Sequence, residues 1–203
     1  MTAIEIGRLL RAGTSGFIFG CRVTQMDSPS FGALVRVPLV GDYQIYGLIY
    51  DIHIDDDGLV RQLVTAEGVD DSVIADNRLN RNVPVEMSVL AVGYRQGGRI
   101  SHLLPPRPPL SLDIIYLCQP DELCQFTSSG RFGYFRHVLQ AKDLPVSELL
   151  AAHFQQASKA QRAAGNVGWV YAATQELITL LRDDYPTLMG VMGVLGDANS
   201  TDF

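Results

Sequence analysis

The residues whose chemistry is most restrictive are four histidines, three cysteines and two lysines, and their spacing excludes several activities. His53, His102, His137 and His153 stand far apart, and none has a second histidine or a cysteine at metal-ligand spacing. Cys21, Cys118 and Cys124 form no Cys-x-x-Cys pair; Cys118 and Cys124 flank Pro120 in the manner of ordinary buried thiols rather than a zinc or redox centre. No metal and no other cofactor is implied. Lys142 follows Ala141 and Lys159 follows Ser158, so neither belongs to the Gly-Lys-Ser/Thr of a phosphate-binding P-loop, where backbone amides and an ammonium hold the phosphates. The chain is therefore not expected to be a P-loop NTPase. It also has no GxGxxG between strand and helix and no GxSxG elbow. His53, Asp55 and Asp57 alternate ahead of Gly58, but an EF-hand loop needs an acidic first ligand and a glutamate twelfth, where this chain has His53 and Val64. An acidic turn is the expected reading. His153 falls on an apolar helix face and is expected to be a packed, hydrogen-bonded core residue.

These side chains sit in a chain of 203 residues and 22.2 kDa, 47% apolar and 19% charged, which is ample for a buried core. The formal net charge of -6 leaves no general basic surface for a phosphate backbone, so direct nucleic-acid binding is not expected. Ile4–Leu10 is interrupted by Glu5, Gly7 and Arg8, unlike a secretory signal. No run approaches the roughly 20 apolar residues of a membrane span. With few, odd-numbered cysteines, a cytoplasmic location is expected.

The elements read as α+β: an N-terminal small antiparallel β-barrel followed by a helical C-terminal part. Short apolar runs at Ile4–Leu10 and Gly16–Thr24 flank the turn signal Ala12-Gly13-Thr14, and Gly32–Val37 ends at Pro38. Tyr43–Ile54 is the clearest strand, with Gly47 marking a bulge or barrel corner. Asp57-Gly58 then predicts a tight hairpin with Leu59–Thr65 returning as a strand. Residues 69–82 fit a helical turn or a long loop. Val85–Arg95 and Ile100–Leu104 form a second expected hairpin across Gly97-Gly98. Closure of the six or seven strands is expected because an open sheet would expose two edges. After Pro120 come two short helices, Asp121–Phe126 and Phe132–Gln140. A helical hairpin follows over about 146–184, from Val146–Ala164, with Asp143 as a possible cap, and Val167–Asp184. Residues 1–125 thus form the β domain, 126–196 the helical region and 197–203 a loose tail.

Three segments bear on interaction. Leu103–Leu110 (LLPPRPPL) is held extended by four prolines; it reads as a rigid lead-out to the last strand, with recognition by an aromatic groove as the alternative. Gly190, Gly193 and Gly196 suit close helix packing or an exposed contact segment. Around them, Leu188, Met189, Val191, Met192 and Leu195 make a run too apolar for a free tail. It either folds back into the core or docks on another chain, and these five are the candidate interaction residues. No catalytic residue is assigned.

The opening IEIGRLL, the pair of strands around FGALVRVPLVGDYQIYGLIYDI and the run LLPPRPPLSLDIIYLCQPDEL together resemble the HAS-barrel family, the small β-barrel shared by HerA-type DNA translocases and rotary ATP synthase catalytic subunits. The resemblance covers about residues 3–125. It implies that Pro105, Pro106, Pro108 and Pro109 lead to a closing strand at Ile114–Leu117, followed by Asp121–Leu123 at the start of the next segment. In those relatives the barrel precedes a P-loop ATPase domain, whereas helices follow here. The resemblance therefore implies only the barrel's own role, subunit assembly, and no catalysis. The function expected is that of a non-enzymatic assembly or regulatory interaction module, with a protein partner or self-association. One alternative is a small-ligand-binding protein or enzyme with a site at the barrel–helix junction using Arg131, Arg136 and His137; another is an accessory factor of DNA-processing machinery.

Overall fold

The computed structural model of the chain describes residues 3–22, 29–55, 58–80 and 84–200. Its strands are β1 (Ile4–Ala12), β2 (Gly16–Cys21), β3 (Leu34–Leu39), β4 (Tyr43–Ile54), β5 (Val85–Gln96), β6 (Arg99–Ser101) and β7 (Ile114–Leu117). All pairings are antiparallel in the order β2-β1-β7-β3-β4-β5-β6, and β2 also pairs with β5, which closes a six-stranded barrel with β6 as a short flap on β5. Closure leaves those six strands no free edge for the length of their ladders. The interior is filled by alternate residues, among them Ile6, Phe17, Phe19, Val35, Ile45, Ile49, Met87, Val89 and Ile115.

β4 is buried on both faces from Tyr43 to Ile49, which is why its sequence reads as an almost unbroken apolar run. Ile45 and Ile49 point into the barrel, while Tyr46 and Leu48 point out under the helices. Gly47 faces inward where a Cβ would lie 2.3 Å from Val89 Cγ1 and 3.3 Å from the Phe17 ring, so only glycine fits. The ladder with β5 shifts there, Tyr46 facing Gly93 and Gly47 facing Ala91, so the bulge expected at Gly47 is present with Val92 as its extra residue. Gly97 and Gly98 both have positive φ, the I′ pattern that turns β5 into β6.

Two stretches depart from expectation. Leu59–Thr65 is helix α1, not a returning strand; the strand that runs back along β4 from Ile54 to Tyr43 is β5. Asp57 of the expected turn, like Val23 and Thr24 of the second run, lies outside the described residues. α2 (Asp71–Leu79) follows, its N-terminus capped by the Asp70 carboxylate accepting from the Ser72 amide at 2.8 Å. β3 continues through Pro38, which β7 does not reach, so the missing amide hydrogen leaves no ladder bond broken.

The proline-rich run is a strap. β6 lies beside β5 whereas β7 lies between β1 and β3, so residues 102–113 must cross the barrel mouth. They do so with Pro105 and Pro109 buried and the Arg107 guanidinium 5.3 Å above the Tyr43 ring. The strap is pinned to β1 by Leu112 N–H donating to the Leu9 carbonyl at 2.8 Å.

The remaining helices, α3 (Pro120–Ser128), α4 (Phe135–Gln140), α5 (Val146–Ala163), α6 (Trp169–Leu180) and α7 (Tyr185–Ser200), cover the outer face of β3, β4 and β5. α3 starts with Pro120 at its first turn and a capping box between Gln119 and Glu122. Residue 125 lies inside this helix, and Leu34, Tyr46, Leu48 and Val92 of the barrel share one core with the helical side chains. α5 begins at Pro145 without a side-chain cap, so Asp143 does not have the capping role expected of it. The helices expected over 146–184 are present as α5 and α6, but the long neighbour of α5 is α7. Residues 197–200 continue α7 rather than forming a loose tail, and 201–203 lie outside the described residues.

Candidate functional site

The polar side chains that converge in this protein do so where the barrel meets the helices. His102 follows β6 and is buried, its ring 4.6 Å from that of Phe126 and 5.0 Å from that of Tyr134 between centroids. Its Nε2 donates to the Phe126 carbonyl at 3.1 Å, while Nδ1 lies against Gly130 with no hydrogen-bond partner. Burial pushes the imidazole down to about 4. The His102 carbonyl oxygen accepts from both the Arg136 guanidinium and His137 Nε2, the latter at 3.1 Å. Two of the three residues expected at a junction site are thus brought together, on a main-chain acceptor. Arg131 is exposed, in a left-handed turn with φ 48°.

His153 of α5 is fully enclosed, as its apolar face predicts. Nδ1–H donates to the Gly32 carbonyl at 3.2 Å, which leaves Nε2 to accept from the Tyr134 hydroxyl at 3.1 Å. Burial drives this ring down to about 4 and pushes the Tyr134 phenol well up, so both are neutral at pH 7. Gly32 has φ 80°, and a Cβ there would sit 2.7 Å from the His153 amide nitrogen, so helix and β3 lead-in touch backbone to backbone. A third polar hub is Gln161, whose two Nε2 hydrogens are shared among Thr127 Oγ1 (2.7 Å), Ser128 Oγ (2.9 Å) and the Cys124 carbonyl (3.1 Å). Sequence reading missed Tyr134 and Gln161; the available signal for Gln161 was a polar residue four after Ala157 on an apolar stripe. The histidines and Arg136 hold the helical layer on the barrel, and Gln161 ties α5 to α3 within that layer.

Arg36 and Glu122 meet at 2.6 Å with their side chains 15% and 22% exposed, the guanidinium also 4.9 Å above the Tyr116 ring. Glu122 accepts from the Gln119 amide at 3.0 Å as well, so it fastens α3 to β3 and caps the helix at once. His53, by contrast, is exposed and pairs with Asp55 at 3.0 Å. Among the described residues, no group of three His, Cys, Asp or Glu is arranged to hold a metal ion.

The five interaction candidates separate. Val191 and Leu195 are buried in the helical core, Leu188 and Met192 pack half-buried against it, and only Met189 is largely exposed. The run therefore folds back along α5. A Cβ at Gly190 would lie 3.7 Å from Ser147 Oγ, an ordinary contact, whereas one at Gly193 or Gly196 would meet nothing within 4 Å. A surface cleft of about 600 Å³ reaches Gly190 between the starts of α5 and α7, and one of about 500 Å³ between the β1–β2 turn and the α4–α5 loop has Arg11, Ser15, Tyr50 and Lys142 on its walls. Another, of about 730 Å³, lies beside α3 and includes Arg36, Gln119 and Cys124. No family model matches the chain, and no curated protein matches it either.

Proposed function

We propose that the protein is a non-enzymatic assembly or regulatory interaction module built on a barrel of the HAS type, acting in the cytoplasm. The observation that carries this reading is a division of labour. At the junction His153, Arg136 and His137 are engaged in hydrogen bonds that hold helices to barrel, while large apolar side chains stand exposed beyond the barrel's ends, Leu110 at 73%, Leu112 at 69% and Val64 at 79%. The six-stranded closed barrel and the proline strap leading into β7 support the family assignment. No helix among the described residues is long and apolar enough to cross a membrane, and the three free cysteines suit a reducing compartment.

Native-cell capture with the tagged chain is expected to recover a stoichiometric protein partner or further copies of the chain. Substitution Leu110→Glu with Leu112→Glu, or Val64→Asp with Val73→Asp, should abolish it while leaving the circular dichroism unchanged. The purified protein should not turn over ATP. Monomeric behaviour with no stoichiometric partner, together with turnover of a small molecule, would overturn the reading. A ligand or enzyme site at the barrel–helix junction is the second reading, favoured by the 500 Å³ cleft carrying Arg11 and Lys142. An accessory role in DNA processing rests on the resemblance alone.

A further inference from the structure

The barrel and the helical layer have separate apolar cores. One lies inside the barrel and is built from residues between Ile6 and Ile115. Every ladder that closes the barrel likewise lies within residues 4–117. The other core lies between the helices and the barrel's outer wall, to which the barrel contributes Leu34, Tyr46, Leu48 and Val92. The seam between wall and helices is therefore the boundary at which two cooperative units can part without opening the barrel.

Two histidines cross that seam in opposite directions and meet at one phenol. His102, just after β6, sends its ring among the helical aromatics, 4.6 Å from the Phe126 ring and 5.0 Å from that of Tyr134. His153, on α5, reaches back to the Gly32 carbonyl ahead of β3 at 3.2 Å and takes the Tyr134 hydroxyl at 3.1 Å. The His102 main chain adds a third tie, its carbonyl accepting from Arg136 and His137 of α4. Arg136 and His137 also face the His102 ring and disfavour a proton there, while the backbone of Phe126 and Gly130 draws one back in part. Tyr134 faces both rings, and burial keeps its phenol neutral. No charged side chain acts on His153, and neither ring is paired with a carboxylate.

We propose that His102 and His153 form an acid-sensitive latch: protonated, they release the helical layer from the barrel wall while the barrel itself stays closed. Release uncovers Leu34, Tyr46, Leu48 and Val92, which are all buried in the latched state. The device needs no partner, so it stands or falls apart from the interaction-module reading. Its drive is a difference in proton affinity between the two states. A ring freed into water takes its proton near 6.5, whereas one held in the seam takes it at about 4. At pH 5 the open state therefore gains roughly 30-fold over the closed one for each histidine, and roughly 1,000-fold for the pair.

Trp169, the chain's only tryptophan, stands in α6 against Phe132 and Phe154, so its fluorescence reports on the helical layer. In the full chain titrated from about pH 7.5 to 3.5, its emission should shift to the red and a hydrophobic dye should bind, with a steepness of roughly two protons. Hydrogen exchange followed by mass spectrometry, corrected for the intrinsic rate at each pH, should show α5, α6 and α7 losing protection there while β4 and β5 keep theirs. His102→Gln and His153→Gln should each reduce the steepness by about one proton. His53→Gln, at an exposed ring beside Asp55, should change nothing. Helices and strands losing protection together at one midpoint, Trp169 emission unmoved down to about pH 4, or an unchanged steepness in both latch variants overturns the proposal. Should a latch variant fail to fold at neutral pH, the order in which helices and strands of the wild-type chain lose protection still decides between release and global unfolding.

Discussion

Deleting residues 186–203 is expected to unfold the helical layer. Val191 is wholly enclosed and Leu195 is 6% exposed, each packed into the core that α5 shares with the barrel wall. Leu188, Met192 and Val194 cover the same face at half burial. Removing two buried and three half-buried apolar side chains forfeits on the order of 5–8 kcal/mol, comparable with the whole stability of an ordinary domain. The loss also exposes the α5 surface that α7 covers. Point substitutions separate this from a docking role. Leu195→Ala should cost about 2–4 kcal/mol in urea unfolding, whereas Met189→Ala, at a side chain 51% exposed, should stay within about 0.5 kcal/mol. A truncated chain with the wild-type unfolding midpoint would show that α7 is not core.

That result illustrates what one sequence does and does not disclose. The apolar character of 188–195 is plain, but whether another element offers it a groove depends on α5 keeping one face uncovered by α6, a fact of three-dimensional packing. The barrel is more legible because its rules are local: alternation places Ile45 and Ile49 inside and Tyr46 and Leu48 outside, and Gly47 and Gly97-Gly98 mark the bulge and turn. α1 was misread for a complementary reason. Asp57-Gly58 is a strong turn signal, but the strand that returns along β4 is β5, which begins 20 residues after Thr65, a long-range pairing that no local turn signal announces. The junction was legible only in part. Arg136 and His137 attract notice as neighbouring polar residues before a buried valine, but their shared acceptor is a main-chain carbonyl 34 and 35 positions away, which no side-chain pattern announces.

Acidification should destabilise the protein between about pH 6.5 and pH 4, well before most carboxylates titrate. His102 and His153 are each held near 4 in the fold by burial, against 6.5 for an unhindered imidazole. Below 6.5 the unfolded chain takes up these two protons while the native chain refuses them, so stability rises with pH across the window and is fully present above it. Each histidine contributes roughly 3 kcal/mol at most, and the pair, with His137 shifted in the same direction, reaches a magnitude that matches ordinary domain stability. The structural reason is that both rings are already committed as neutral tautomers. A proton on His153 Nε2 would face the Tyr134 hydroxyl, which would have to give up its donation, and a charge on His102 would be cut off from water, a cost that the backbone of Phe126 and Gly130 offsets only in part. The thermal midpoint measured from pH 7.5 to 4 should fall steeply, with close to two protons bound on unfolding near pH 5. His153→Gln should reduce that uptake by about one proton even if it lowers stability at every pH. A midpoint level down to pH 4.5, or an uptake unchanged in His153→Gln, would show that the histidines are not held neutral and that the junction is open to water.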